Sequence, residues 1–290
     1  MIIEQNTEFR AMSLLAGKWY KSFSAYELAE GAKISVPMAY KILKKLEHKK
    51  IVVREDKKVK LNFSNSFSYA FKILKDSEKV LELSENIQAR INYIFNIFTK
   101  EYGADLLAFI IFGSVASNEQ TEESDIDILA VVKNKKEIDY RKKGILNLGE
   151  LNIIEKEEKE IQKDYLLADD LLLNALMNGI IISDSGIIRF LLTKSLPGPS
   201  QDVIIQKKER LEVLKNRLFV LLKQENYKEL AEQLKLFILE KARIIFLEKG
   251  IVPSSKKYII DNLNKADKQS HIDYIKLSEK NAGEILKKYV

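Results

Sequence analysis

The sequence contains no cysteine, which excludes disulfides, thiolate zinc sites and cysteine nucleophiles. Histidine is nearly as scarce. His48 and His271 lie far apart in the sequence, which argues against a histidine-based metal centre. Only four prolines occur, and two of them, Pro197 and Pro199, share one short segment. No apolar run is long enough to span a bilayer, so no membrane partner is expected. The first residues, "MIIEQNTEFR", acquire charge too early for a signal peptide, and a cytoplasmic location is expected.

What is present fits a globular protein of two or three domains: 290 residues, 46% apolar and 31% charged. The net charge of +6 is uneven. Residues 1–65 hold 13 Lys/Arg against 7 Asp/Glu, whereas the rest of the chain holds 35 of each sign. A lysine-rich composition bias would spread along the chain. A localised excess points instead to a polyanion-binding module at the N-terminus.

The element signals in that quarter are ordered. "TEFRAMSLLA" reads as an amphipathic helix ending near Gly17. "SAYELAEG" opens on a Ser24-x-x-Glu27 capping box and stops at Gly31. In "ISVPMAYKILKKLEHKKIV", Ser35 can cap a helix and Pro37 falls in its first turn, where a missing N–H costs little. Ile42, Leu43 and Leu46 form its apolar stripe. "IVVREDKKVKLNF" reads as two short strands about a charged turn. Helix, helix, turn, helix, hairpin is the order of a winged helix-turn-helix, and the third helix looks like its recognition helix. A major groove admits one such helix. Ser35, Val36, Met38, Ala39 and Tyr40 would then meet base edges, and Lys41, Lys44, Lys45, Arg54, Lys57 and Lys58 would meet phosphates of duplex DNA. The competing reading is a dimerisation or protein-interaction module with a solvated basic face.

Residues 66–100 read as mostly helical, with Ile87, Ile91, Ile94, Phe95 and Phe98 on one face. "DLLAFIIFGS" and "DIDILAVV" read as buried strands, "ELNIIE" (150–155) as a third, and "IIISD" as a short fourth. "NKKEIDYRKKGILNLG" is a connecting helix or loop, and "DYLLADDLLLNALMNG" a single helix. "SLPGPS" (195–200) reads as a linker, and the chain beyond it reads as helical throughout. The expected architecture is multidomain α+β. A winged helix-turn-helix (1–65) precedes an α/β core with a small mixed sheet and leading helices (66–194), and a helical bundle completes the chain (200–290).

Alternation of side chains along a strand puts Asp125 and Asp127 on one face, about 7 Å apart. Two such carboxylates repel unless a cation lies between them, and Mg²⁺ with substrate phosphates suits that role. Gly113 lets a backbone approach a phosphate, and Ser114 adds a hydroxyl donor.

The string "GSVASNEQTEESDIDILAVV" resembles the signature of the minimal nucleotidyltransferases of the DNA polymerase beta-like superfamily: Gly-Ser, a loop, then Ser-Asp-x-Asp and apolar residues. The resemblance covers residues ~85–185 and implies a Mg²⁺- or Mn²⁺-dependent transfer of a nucleotide from ATP to a hydroxyl. Gly113, Ser114 and Ser124 would hold the nucleoside triphosphate, and Asp125 and Asp127 the metal. The family's third carboxylate is in register with Asn152. Glu150 shares that strand face and is the candidate substitute, whereas Glu155 points to the other face. The loop's usual glycine is replaced by Asn118, and its usual arginine is missing around Ala116. An amide is no base, so two outcomes stay open. Either Glu150 serves after a small register shift, or the protein is a catalytically weak or inactive nucleotide-sensing regulator that binds DNA, antitoxin-like in character.

The C-terminal bundle looks, less specifically, like the HEPN helical domains that partner such transferases. A generic bundle for dimerisation or substrate binding is the competing reading. No arginine stands a few residues before either histidine, as it does in HEPN ribonucleases, so no ribonuclease activity is expected. A homodimer and a protein acceptor are compatible with these readings.

Overall fold

The computed structural model describes residues 6–117, 125–139, 144, 151–167, 169–194, 197, 201–251, 253 and 256–289. Its contacts divide into two compact units, one of residues 1–163 and 174–196, the other of 164–173 and 197–290.

In the first unit, three helices open the chain: α1 (Thr7–Gly17), α2 (Ala25–Gly31) and α3 (Val36–His48). Each begins on a side-chain cap. Asn6 accepts from the Glu8 N–H, Ser24 and Glu27 form the reciprocal capping box, and Ser35 accepts from the Met38 N–H with Pro37 in the first turn. The antiparallel hairpin β1 (Val52–Glu55) and β2 (Lys58–Leu61) comes next, closed by Asp56 at φ +53°. Leu15, Leu28, Ile42, Leu46 and Val59 are buried among these elements. The sequence places these elements within a residue or two of where they fall.

Helices α4 (Ser66–Glu82) and α5 (Glu85–Tyr102) lead to β3 (Leu106–Phe112), the short helix α6 (Gly113–Ala116), β4 (Ile126–Val132) and β5 (Leu151–Glu157). Then come α7 (Glu158–Leu166), α8 (Asp170–Asn178), β6 (Ile180–Asp184) and α9 (Ile187–Leu192). The sheet order is β5-β4-β3-β6. β3 pairs antiparallel with β4 and β6, and β4 pairs parallel with β5, so the sheet is mixed. One face packs Phe109, Ile111, Ile126, Ile128 and Ala130 against Ile87, Ile91, Ile94 and Phe98 of α5. The strands read as continuous apolar runs because β3 and β4 lie in the middle of the sheet and are buried almost throughout.

Three expectations need correction. The single helix read over "DYLLADDLLLNALMNG" is two, because the Asp169 carboxylate accepts from the Leu172 N–H at 3.1 Å and starts α8 afresh. Asp125 stands just before β4 rather than within it, and β5 runs on to Glu157. The Gly113–Ser114 turn is the opening of a short helix that the sequence reading did not anticipate. Most of "NKKEIDYRKKGILNLG" lies outside the described residues.

Several polar contacts fasten the N-terminal helices to the sheet-bearing part of the same unit. The Trp19 indole donates to the Leu176 carbonyl at 3.0 Å, and Arg189 donates to the Phe63 and Ser64 carbonyls at 3.2 Å each. Asp184 caps α9 through the Ile188 and Arg189 N–H groups and accepts from the Tyr69 hydroxyl. On α4, Lys72 and Asp76 form a buried ion pair, and Asp76 also accepts from the Ile181 N–H at 3.0 Å.

In the second unit, α10 (Gln201–Lys223) and α11 (Tyr227–Glu248) pair around Leu218, Leu221, Leu230, Leu234 and Ile238. Helices α12 (Lys256–Asp261), α13 (Leu263–Ala266), α14 (Lys268–Lys276) and α15 (Ala282–Lys287), with residues 164–173, complete it. No helix among the described residues is long and apolar enough to cross a membrane.

The Lys72–Asp76 pair is a sensitive point of the first unit. Lys72→Met leaves a carboxylate buried without its cation, and urea unfolding should show a loss of about 3–5 kcal/mol. A loss under about 1 kcal/mol would mean that water reaches Asp76.

Candidate active site

The sheet register builds the site. Phe112 at the end of β3 pairs with Asp127 of β4, and Asp127 pairs in turn with Asn152 of β5. Residues aligned across a sheet share a face, so Asp127 and Asn152 meet on the face away from α5. The Asn152 amide donates to Asp127 Oδ1 at 2.9 Å. The asparagine expected in register with the carboxylate pair is therefore its direct neighbour.

Gly113 closes the site from below. Its φ is +73°, and a Cβ there would stand 2.0 Å from Asp127 Oδ2. Any side chain would collide with the carboxylate and strain the backbone as well, so glycine is dictated twice over. The chain then turns into α6, where Ser117 N–H donates to the Gly113 carbonyl and Ser117 Oγ to the Ser114 carbonyl, each at 3.2 Å.

Burial is the largest influence on Asp127 and pushes its pKa above the ordinary aspartate value. The Asn152 hydrogen bond opposes this, and the neighbouring charge of Asp125 adds to it. A half-buried carboxylate with a like charge beside it is a group that a cation would stabilise. Asp125 and Asp127 with a triphosphate fit the oxygen-rich, partly hydrated coordination of Mg²⁺. Among the described residues, no group of three or more Asp, Glu, His or Cys side chains is arranged to hold a metal. Ser124, Asn118 and Glu150 lie outside the described residues. Glu155 faces the other way and accepts from the Tyr102 hydroxyl, whose pKa is pushed up to about 12, chiefly by burial.

The basic face of α3 and the hairpin is a second cluster. Ser24, Tyr26, Tyr40, Lys41, Lys44, Arg54 and Lys57 line one groove. Ser35 spends its hydroxyl on capping α3. Lys41, Lys44 and Lys57 are exposed, with no carboxylate partner among the described residues. The other three cations of the set are already paired. Arg54 grips Glu47 through two bonds of 2.7 and 2.8 Å, Lys58 holds Glu27 at 2.8 Å, and Lys45 holds Glu8. Tyr26, which sequence reasoning passed over, meets Tyr40 edge to face at 6.5 Å, and both rings are exposed. Its place in the first turn of α2 gave no signal, because the pairing crosses two helices.

Residues 91–192 match the family model of the nucleotidyltransferase domain. That match runs from α5 through the whole sheet to α9, and it supports a function in nucleotidyl transfer. Among solved structures, a nucleotidyltransferase-like protein from Exiguobacterium sibiricum 255-15 is similar at 15% identity, over 68% of this chain and 71% of that one, with a TM-score of 0.38. No curated protein matches.

The raised pKa of Asp127 has a thermodynamic consequence. Its folded value lies above its unfolded value, so the folded state loses stability as pH rises through the folded pKa and keeps that loss at neutral pH. Asp127→Asn retains an acceptor for Asn152 but carries no charge. In EDTA its melting temperature should exceed that of the parent at pH 7, and the difference should fade as pH drops to the ordinary aspartate range. A variant less stable than the parent at pH 7 would contradict the burial argument.

Proposed function

We propose that the protein is a Mg²⁺-dependent nucleotidyltransferase, moving AMP from ATP to a hydroxyl acceptor, and that its N-terminal winged helix-turn-helix module binds duplex DNA. The observation that carries the first half is the alignment of Gly113, Asp127 and Asn152 at one end of the sheet, beside Asp125, within the region matching the nucleotidyltransferase model. Gly113 lets the chain approach the triphosphate closely, and Ser114 offers it a hydroxyl donor. Asp125 and Asp127 would hold the metal, which would neutralise phosphate charge and polarise the phosphoryl oxygens. The acceptor oxygen bonds to the α-phosphorus, pyrophosphate leaves, and the hydroxyl proton passes to a base. Asn152 cannot be that base; it orients Asp127. Glu150, two residues before Asn152 in the sequence, is the candidate for the role.

A second reading rests on Asn152 itself. An amide in place of a third carboxylate suits a domain that senses a nucleotide without turning it over, coupled to a DNA-binding module as a regulator.

ATP labelled on the α-phosphate, with Mg²⁺ and candidate acceptors, separates the two. Transfer of label, reduced by at least about a hundredfold in Asp125→Ala with Asp127→Ala, supports the enzyme. Calorimetric binding of ATP without any transfer supports the sensor. Transfer that survives the double substitution removes this site from the reaction.

The DNA reading predicts salt-sensitive duplex binding. Lys41→Ala with Lys44→Ala should weaken it about equally for all sequences and lower the slope of log affinity against log salt by about 2. An unchanged slope would take the α3 face out of the interaction.

A further inference from the structure

A second cavity lies away from both clusters, between α1, the turn that joins α2 to α3, and α4. Its volume of about 550 Å³ is in the range of small-molecule sites. Phe9 and Leu14 give it an apolar wall, and Leu81, 74% exposed, forms an apolar rim. Leu14 leans over Gly31, where a Cβ would come within 2.5 Å of its Cδ2, so glycine keeps that wall in place.

The ionisable lining is three cations, Arg10, Lys33 and Lys75, against two carboxylates, Glu78 and Glu82. Glu78 is already taken by Lys75, whose ammonium also stands 5.5 Å from the centre of the Phe9 ring. Arg10 and Lys33 have no carboxylate partner among the described residues. Arg10 donates through Nη1 to the Lys33 carbonyl at 3.1 Å, so the guanidinium is fixed against the turn. With Lys75 and Glu78 paired, the lining keeps Arg10 and Lys33 against Glu82, a net positive charge beside an apolar wall, which favours an anion with an apolar body over a neutral or cationic one.

We propose that this cavity binds a small organic anion, a carboxylate or sulfonate carrying an aromatic or aliphatic body, with Arg10 and Lys33 at the charged end and Phe9, Leu14 and Leu81 around the apolar end. None of its lining residues belongs to the nucleotide site. Its walls are the helix that opens the basic module, the turn that sets the start of α3, and the helix that leads to the sheet. An occupant would touch all three.

The full chain can be titrated with 8-anilinonaphthalene-1-sulfonate, monitored by fluorescence, and the probe displaced by octanoate, octylamine or octanol. Saturable binding at one site is expected, with octanoate displacing the probe at least about tenfold more effectively than octylamine or octanol. Arg10→Gln should weaken the probe about tenfold, and so should Leu81→Glu. Leu81→Glu changes an exposed rim residue, so the folded protein tolerates it even if Arg10→Gln proves unstable. Equal displacement by the three competitors, or unchanged probe affinity in Leu81→Glu, would overturn the proposal.

Discussion

The carboxylate of Asp127 stands where a side chain on residue 113 would have to be, so the site depends on that residue having none. Gly113 meets that condition: a Cβ there would lie 2.0 Å from Asp127 Oδ2. The register then fixes the remainder. Because Phe112 aligns with Asp127 and Asp127 with Asn152, the identity of residue 152 is chemically visible at the site, and shifting either strand by one residue would turn it to the other face. The α5 face, by contrast, is a packed apolar layer that holds this register.

The same compact unit contains the basic helices, and the fastening between the two parts is polar and directional. Trp19 and Arg189 donate to backbone carbonyls across long sequence separations, and Asp184 serves both as the cap of α9 and as a partner for Tyr69. Such bonds fix orientation where a purely apolar contact would tolerate sliding. The Lys72–Asp76 pair has the same character: Asp76 takes both an ammonium and the Ile181 N–H, linking α4 to the edge strand β6.

Much of this was legible in the sequence because it depends on neighbours a few residues apart. Ser35 with Pro37, Ser24 with Glu27, and the apolar runs of β3 and β4 announce themselves locally. The register position of Asn152 was legible too, through the spacing of a known signature. Hidden were features set by distant partners or by a single polar side chain. The restart of the chain at Asp169 depends on one carboxylate capping one N–H, within a stretch whose apolar periodicity runs on unbroken. Lys45, Arg54 and Lys58 look like any other exposed cations, and only the fold brings Glu8, Glu47 and Glu27 to them. The organic-anion cavity combines residues of α1 and α4 that no periodicity connects.

Those three glutamates act as counterions tethered to the chain. A polyanion that meets Lys41, Lys44 or Lys57 sets loose mobile ions and gains their entropy. At Lys45, Arg54 and Lys58 the gain is smaller, since the displaced carboxylate stays attached and repels the newcomer. The face is therefore basic in composition but graded in strength. It favours a partner that reaches Lys41, Lys44 and Lys57 over one that meets only the paired cations.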